Sequence, residues 1–186
     1  MKMFQKIVSM IAVSALALSM TVSASYTDVA KESNISGTVQ TLSLLQILAG
    51  YDDGTFRPDD AITRAEFCAV VCRANGFEDI AQKAAKNAQE SIFQDVPTDH
   101  WAFGYIYTAA GYKIVAGMGD GTFEPESNVT YEQAVKMLVT TLGYEPLATA
   151  KGGWPAGYLE VAKDYGVTKE INVADTESPA TRATVA

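Results

Sequence analysis

Two arginines, Arg64 and Arg182, are the side chains of this sequence best suited to binding chemistry. Each follows a threonine that has the properties of a helix N-cap, so each is expected to occupy the first position of a helix. A cation there opposes the helix dipole at a cost of roughly a few tenths of a kcal/mol. The guanidinium group should therefore meet an acceptor elsewhere, either a carboxylate of another repeat of the chain or an anionic ligand held by paired hydrogen bonds.

The sequence carries none of the residue patterns that indicate catalysis. Its single histidine is His100, directly before Trp101. Glycine-rich phosphate loops and metal-ligand clusters are absent from the sequence. The acidic stretch DDGTFRPDD lacks the residue spacing of an EF-hand calcium loop. We therefore predict that the protein is not an enzyme and needs no cofactor or metal.

The two cysteines, Cys68 and Cys72, lie four residues apart and therefore on one face of a predicted helix. A disulfide framework joins distant segments, which this pair cannot do, and two thiols are too few for a closed zinc site. We interpret them as small, buried apolar side chains.

An internal repeat must position these residues. Residues 26–78 align without a gap with residues 93–145 at an offset of 67, and 15 of the 53 positions are identical. The matches include the Asp-Gly-Thr-Phe run at 53–56 and 120–123. A third, shorter copy follows, because residues 152–168 resemble 99–115 and residues 180–186 resemble 62–67. Such a repeat dictates the architecture of the chain.

The third copy is incomplete. INVADTESP stands where the first two copies have their Asp-Gly-Thr-Phe loop, and the sequence stops at Ala186, inside the expected second helix of that copy. Because a stable helix does not end one turn after its start, we expect these residues to be the N-terminal part of a longer protein.

Each complete copy predicts a helix, a loop and a second helix. The first helix is expected at about 35–48 and 101–113, and the second at about 64–75 and 131–142. Thr63 and Glu66 form a capping-box pattern at the start of the second helix, and Thr130 and Gln133 repeat it. Residues 79–92, rich in alanine, glutamine and lysine, predict an exposed helix or helical linker between the first two copies.

The loop between the two helices has a mechanical explanation. Gly54 and Gly121 each follow an aspartate, which is typical of a turn that needs a positive φ. Phe56 and Phe123 can then fold back as apolar plugs, and the proline two residues later keeps the next segment out of a helix. Most of this loop is therefore expected to serve the fold.

The N-terminus predicts export. Lys2 and Lys6 precede or enter an apolar run, and Val-Ser-Ala at 22–24 is a small-residue cleavage signal, so residues 1–24 indicate a signal peptide. An uncleaved anchor is the alternative, but the run is short for a span of ~20 residues, and no later stretch of the sequence could cross a bilayer. With 14 basic and 22 acidic residues, the chain is a poor partner for nucleic acid or anionic lipid.

The ordered series Asp-Val, Trp-Ala, Gly, Asp-Gly-Thr-Phe-x-Pro and Thr-Arg-Ala-Glu resembles the S-layer homology (SLH) domain. FQDVPTDHWAFGYI, the two DGTF loops and ITRAEF carry the resemblance, which covers residues 26–186. It implies an all-α fold of tandem helix-loop-helix repeats, packed as a pseudo-threefold SLH-type bundle with grooves between the copies. It also implies SLH repeat 1 at 25–78, repeat 2 at 93–146 and a degenerate, truncated repeat 3 at 147–186.

The function implied by the resemblance is a non-catalytic cell-wall anchor of a Gram-positive-type bacterium. The ligand would be secondary cell-wall polysaccharide, often bearing ketal-linked pyruvate, and the protein would be secreted to the cell wall and surface. The site residues that the resemblance implies are Arg64, Arg182, Trp101, Trp154, Asp28, Asp95, Gly54 and Gly121. The chemistry agrees in kind, because a pyruvate ketal carries a carboxylate that suits arginine and sugar faces stack on indole rings.

The sequence departs from this pattern at two of the implied site positions. Asn34 replaces the tryptophan of repeat 1, and Tyr131 replaces the arginine of repeat 2. Three equal sites are therefore not expected, although one groove could combine Arg64 with the tryptophan of a neighbouring copy. Two other functions stay open: a self-assembling envelope protein whose repeats contact further copies, and the N-terminal anchor of a longer exported enzyme or adhesin.

Overall fold

The computed structural model describes residues 26–169, 171 and 173–186, and these residues form an α-helical bundle. The predicted signal peptide at 1–24 lies outside the described residues. The helices are α1 (Ser36–Leu44), α2 (Arg64–Ala74), α3 (Glu78–Asn87), α4 (Phe103–Gly111), α5 (Tyr131–Thr141), α6 (Glu145–Ala150), α7 (Ala156–Asp164) and α8 (Arg182–Val185). None of them has the length and apolarity that crossing a bilayer requires. The predicted all-α fold class is confirmed.

The second helix of each complete copy begins where the capping pattern places it. The Thr63 hydroxyl accepts from Glu66 N (3.1 Å) while the Glu66 carboxylate accepts from Thr63 N (2.9 Å), and Thr130 and Gln133 form the same reciprocal pair. Each box satisfies two of the N–H groups that a helix start leaves without partners. The predicted bounds of α2 and α5 therefore agree with the structure to within one residue.

The first helix of each copy is shorter than predicted. Helix α1 ends at Leu44 and α4 at Gly111, because Gln46 (φ 57°) and Lys113 (φ 59°) adopt the left-handed conformation that ends a helix. Gly166 (φ 76°) takes the same place after α7. Glutamine and lysine are unusual at such a position, so the sequence carried no signal for this end.

A closed cycle of three backbone hydrogen bonds joins the segments that precede α2, α5 and α8. Ile62 N donates to Ala180 O (3.1 Å), Ala180 N donates to Val129 O (2.9 Å), and Val129 N donates to Ile62 O (3.0 Å). All three side chains are buried. The cycle is the centre of the pseudo-threefold arrangement, and the short third copy closes it.

Each helix that leaves this centre docks its first turn on the loop of the next copy. The donor–acceptor pairs are Arg64 N to Ser127 O, Ala65 N to Pro125 O, Tyr131 N to Ser178 O, Glu132 N to Thr176 O, Arg182 N to Asp60 O and Ala183 N to Pro58 O, all between 2.8 and 3.0 Å. These bonds use the N–H groups that the capping threonines leave free. Copy 1 therefore packs against copy 2, copy 2 against copy 3, and copy 3 against copy 1.

The segment predicted as an exposed linker does form a helix, α3, and most of its side chains are exposed. Its Ala81 is nevertheless buried, because the carbonyl of Ala81 lies against Gly104 of α4 so closely that a Cβ at Gly104 would clash. Helix α6 repeats the contact, with Ala148 against Gly157 of α7. Helix α3 thus packs against α4 as well as linking two copies. Helix α6, which was not predicted, makes the same kind of contact with α7.

The loops supply much of the core. Phe56 and Phe123 are almost completely buried, as the sequence predicts for apolar plugs, and Gly54 and Gly121 have φ of 82° and 92° at the preceding turn. Cys68 and Cys72 are free, buried thiols, which confirms their interpretation as small apolar side chains. Burial raises the pKa of the Cys68 thiol strongly, so it stays protonated at neutral pH.

Candidate functional site

Arg64 reaches from the start of α2 into the loop of copy 2. Its Nε donates to Phe123 O (2.8 Å), its Nη2 to Ala116 O (3.4 Å) and its Nη1 to Gln133 Oε1 (3.2 Å). The guanidinium carbon lies 4.5 Å from the centre of the Phe123 ring. A guanidinium group has five N–H donors, so this arrangement leaves two for another acceptor.

Arg182 repeats the geometry from the start of α8 into the loop of copy 1. Its Nε donates to Phe56 O (2.8 Å) and its Nη2 to Ala49 O (2.7 Å), the two positions that match Phe123 and Ala116 in the repeat. The guanidinium carbon lies 4.8 Å from the ring centres of both Tyr51 and Phe56. The two arginines therefore occupy equivalent sites in successive seams of the bundle.

Neither arginine has a carboxylate partner within 4 Å among the described residues, where the arginines in ion pairs are Arg57 and Arg73. Arg64 is only 7% exposed and Arg182 only 4%. Desolvation lowers the pKa of Arg64, and the more distant carboxylates of Glu124 and Asp95 offset this only in part. Of the two alternatives that the sequence left open, a direct internal ion pair is therefore not found for either arginine among the described residues.

A crevice of about 210 Å³ opens beside Arg64, and we call it groove A. All three copies contribute to it: copy 1 gives Arg64, copy 2 gives residues 114–118, Gln133, Lys136 and Met137, and copy 3 gives Trp154. The Trp154 ring is 44% exposed, and Lys136 Nζ lies 5.2 Å from its centre. The structure thus brings Arg64 together with the tryptophan of another copy.

Groove B is the equivalent surface around Arg182. Its members, by the repeat offset, are residues 47–51, Glu66, Ala69, Val70 and Trp101. Trp101 precedes α4, which packs on α2 as α7 packs on α5, and its ring is 56% exposed. The repeat thus predicts that groove B combines the Arg182 guanidinium, the carbonyls of Phe56 and Ala49, and the Trp101 indole.

Groove C is the third seam, around Tyr131. Its walls include Val167, Thr168 and Ile171 of copy 3, and Tyr131 is 8% exposed where the other seams have arginine. The position that holds tryptophan in the other grooves is Asn34 in this one. The repeat therefore relates both departures from the SLH pattern to this one seam, although Asn34 is not among the residues that line the cavity.

Asp28 and Asp95 hold the loops rather than facing the crevices. Asp28 accepts from Phe56 N (2.8 Å) and Arg57 N (2.7 Å), and Asp95 accepts from Phe123 N (2.8 Å) and Glu124 N (2.7 Å). Desolvation pushes the pKa of Asp28 upward, but the N–H donors outweigh it, and the pKa lies below its ordinary value. These aspartates therefore position the phenylalanine carbonyls that the arginines bind.

The two loop glycines and His100 have structural surroundings. Gly54 and Gly121 form the exposed turns of the loops, away from the lining of groove A. His100 Nδ1 accepts from Ala102 N (3.1 Å), and its Nε2 lies 3.1 Å from Glu126 Oε1, which places the ring at the start of α4. In the described part of the chain, no group of three or more His, Cys, Asp and Glu residues is placed to hold a metal ion.

Sequence reasoning missed Lys136, Gln133 and the carbonyl of Ala116 as members of groove A. Lys136 has no signal in the repeat, because its counterpart in copy 1 is Ala69. Gln133 was interpreted only as part of a capping box, and its Oε1 serves both Thr130 N (3.3 Å) and Arg64. Ala116 acts through its backbone, which no side-chain pattern reveals.

Relatives of this chain are proteins of the bacterial surface. It is 36% identical over 180 residues to the surface layer protein of Brevibacillus choshinensis, which covers 92% of this chain and 15% of that protein. It is 37% identical over 175 residues to the middle cell wall protein of Brevibacillus brevis (90% and 16%). It is 31% identical over 131 residues to the cellulosome-anchoring protein of Acetivibrio thermocellus (63% and 29%). The chain thus spans less than a third of the length of each.

The model of the S-layer homology domain matches two stretches of the chain, residues 25–68 and 92–135. Each stretch runs from the segment before the aspartate that braces the loop to the first turns of α2 or α5. Each therefore contains one complete first helix, one Asp-Gly-Thr-Phe loop and one capping box. The chain contains two S-layer homology domains, at residues 25–68 and 92–135.

Proposed function

We propose that this chain is a non-catalytic module that anchors a protein to the bacterial cell wall by binding an acidic secondary cell-wall polysaccharide, with ketal-linked pyruvate as the recognised acid. The observation that supports it most directly is the pair of buried guanidinium groups in equivalent seams. Burying a charge without an opposite charge is costly unless a ligand supplies one. An acidic glycan does so while its sugar ring covers an exposed indole.

The overall charge of the chain is consistent with short-range recognition. A protein with a net charge of −8 does not attract an anionic polymer over long distances. Groove A is a local exception, since Arg64 and Lys136 line it and no acidic residue does. The polysaccharide would therefore be recognised only on contact, through paired hydrogen bonds and stacking.

We also propose that the third copy, residues 147–186, acts as a third SLH repeat and that the module works at the cell surface. The third copy closes the central backbone cycle and supplies Arg182 and Trp154 to two different grooves. The names of the relatives refer to a surface layer, a cell wall and cellulosome anchoring, which favours the same location for this chain.

Co-sedimentation with purified wall polysaccharide tests the proposal. We expect the protein to sediment with the intact polymer and to stay in solution once the pyruvate has been removed by mild acid. Arg64→Lys combined with Arg182→Lys keeps both charges but loses the planar fork, and should weaken binding at least tenfold. Lys86→Ala, which removes an exposed cation of α3 that lies outside the three grooves, is the control. Full binding by the double variant, or equal binding of the pyruvate-free polymer, would refute the assignment.

Self-assembly is the second candidate function, favoured by the surface layer protein among the relatives. If the repeats bind further copies of the chain, light scattering should show oligomers that grow with protein concentration in the absence of any sugar. A monomer over the whole concentration range would exclude this candidate and leave polysaccharide binding unaffected.

A further inference from the structure

Grooves A and B hold their arginines through the same two backbone carbonyls. In both, the guanidinium Nε binds a phenylalanine carbonyl at 2.8 Å, and Nη2 binds the carbonyl of an alanine in the same loop. In both, a tryptophan ring is about half exposed. Any difference in ligand binding between the two grooves must therefore come from other side chains.

Two positions on the helix beside the groove differ in charge. Lys136 in groove A corresponds to Ala69 in groove B, and Gln133 corresponds to Glu66. The Glu66 carboxylate accepts a hydrogen bond from Thr63 N in its capping box. On this helix, groove A therefore has one more cation and one fewer anion than groove B. In the loop, Glu124 of copy 2 replaces Arg57 of copy 1, but Glu124 does not line groove A and Arg57 is paired with Asp53.

Lys136 has no acidic partner in the described structure. No carboxylate lies within 4 Å of its Nζ, in contrast to Lys151, which contacts both Glu160 and Asp164. The Lys136 ammonium group instead lies 5.2 Å from the ring centre of Trp154 and 5.8 Å from that of Tyr158. An ammonium group above an indole that lines a crevice is placed to meet an anion bound against that indole.

We propose that Lys136 is a second cationic anchor that makes groove A the stronger of two unequal sites for a carboxylated sugar. This inference rests on the proposed function, because it concerns the same acidic ligand. In groove A the carboxylate faces the free N–H groups of Arg64 and the ammonium of Lys136 while the sugar ring covers Trp154. In groove B the carboxylate meets Arg182 alone, and Glu66 stands at the position of Gln133.

The size of the effect follows from one added charge at a partly exposed site. Two opposite unit charges about 4 to 6 Å apart, in a medium between bulk water and a protein surface, attract each other strongly enough to change a dissociation constant about five- to tenfold. The difference should shrink with added salt, since the groove is open to solvent.

The two tryptophans of this chain report on the two grooves separately. The sequence contains only Trp101 and Trp154, so a ¹⁵N–¹H correlation spectrum shows two indole N–H peaks, one in each groove. Trp154→Phe assigns them. The probe is a methyl hexoside bearing a 4,6-linked pyruvate ketal, and its methyl ester serves as the neutral control.

We expect the Trp154 peak to reach half of its shift at about five- to tenfold lower probe concentration than the Trp101 peak. Lys136→Gln should bring the two midpoints together by weakening groove A alone. Lys86→Gln, on the exposed face of α3, is the matched control and should change neither.

The possible failures separate the two proposals. If neither peak responds to the ketal, the proposed function itself is wrong. If both peaks respond but with equal midpoints, or if Lys136→Gln leaves the Trp154 midpoint in place, the polysaccharide proposal stands and the role of Lys136 is refuted. An equal response to the methyl ester would show recognition of the sugar without its charge, which also overturns that role.

Discussion

Grooves A and C are two seams of one pseudo-symmetric bundle that differ in the side chains lining them. In both, the first turn of a helix docks on the loop of the next copy through two backbone hydrogen bonds. Groove A adds Arg64 and Trp154 to that frame, whereas groove C has Tyr131 in place of the arginine, and the repeat gives Asn34 in place of the tryptophan. These backbone contacts thus form whichever side chains line the seam.

Asn34 and Tyr131 belong to different copies, yet the threefold arrangement of the repeats relates both to the same seam. That seam therefore lacks the arginine and the tryptophan that the other two seams have. The backbone contacts of groove C persist because the fold still needs them.

The largest effect should come from removing the plug beneath groove A. Phe123→Ala deletes a ring that is 1% exposed and lies beneath Arg64, so we expect a loss of about 3–5 kcal/mol in the free energy of unfolding. Urea unfolding measures it. Met118→Ala, at a side chain 46% exposed in the same loop, should cost far less. A loss below ~1 kcal/mol for Phe123→Ala would show that the loop is not part of the core.

The next largest effect is a gain of binding in groove C. Tyr131→Arg with Asn34→Trp restores the two missing groups to a frame that is already formed, so a third site should appear with an affinity within about tenfold of groove B. Calorimetric titration with the pyruvylated hexoside should show the stoichiometry rise from two to three. A third indole peak that ignores the probe would mean that the frame alone does not suffice. Tyr131→Arg by itself is the control and should add little.

Features controlled by local side-chain patterns could be predicted from the sequence. The starts of α2 and α5 followed from threonine caps, and the burial of Phe56 and Phe123 followed from the turn before them. The sequence also allowed for a groove that combines Arg64 with the tryptophan of a neighbouring copy, and Arg64 and Trp154 line one crevice. In each case the residue type itself determines the outcome.

Features that depend on backbone contacts between distant residues could not be predicted. The central cycle joins Ile62, Val129 and Ala180 through groups that every residue possesses, so no side chain marks it. The left-handed residues Gln46 and Lys113 are atypical for their role. Lys136 was not predicted for another reason. It differs between the copies, and a comparison of repeats finds only the residues that the copies share.

The smallest effect should distinguish the loops of the two grooves by their response to acid. Hydrogen bonds from the Thr55 hydroxyl and from Arg57 lower the pKa of Asp53 to about 2, whereas in the second loop only Thr122 lowers the pKa of Asp120, since Glu124 replaces the arginine. Because each folded pKa lies below the ordinary value of 3.8, each carboxylate stabilises the fold above that value. The contribution is lost as the pH falls through the folded pKa.

The melting temperature should therefore decline as the pH falls from 5 to 2. The decline should be shallower in Asp53→Asn and in Asp120→Asn, because an amide has no proton to gain. Asp59→Asn is the control, since the Asp59 side chain is exposed and makes no hydrogen bond in the described structure. The Asp53 contribution should persist to lower pH than that of Asp120, because its partner Arg57 adds a charge. If Asp53→Asn and Asp59→Asn follow the same curve, the ion pair in the first loop contributes nothing, and the two loops differ only in sequence.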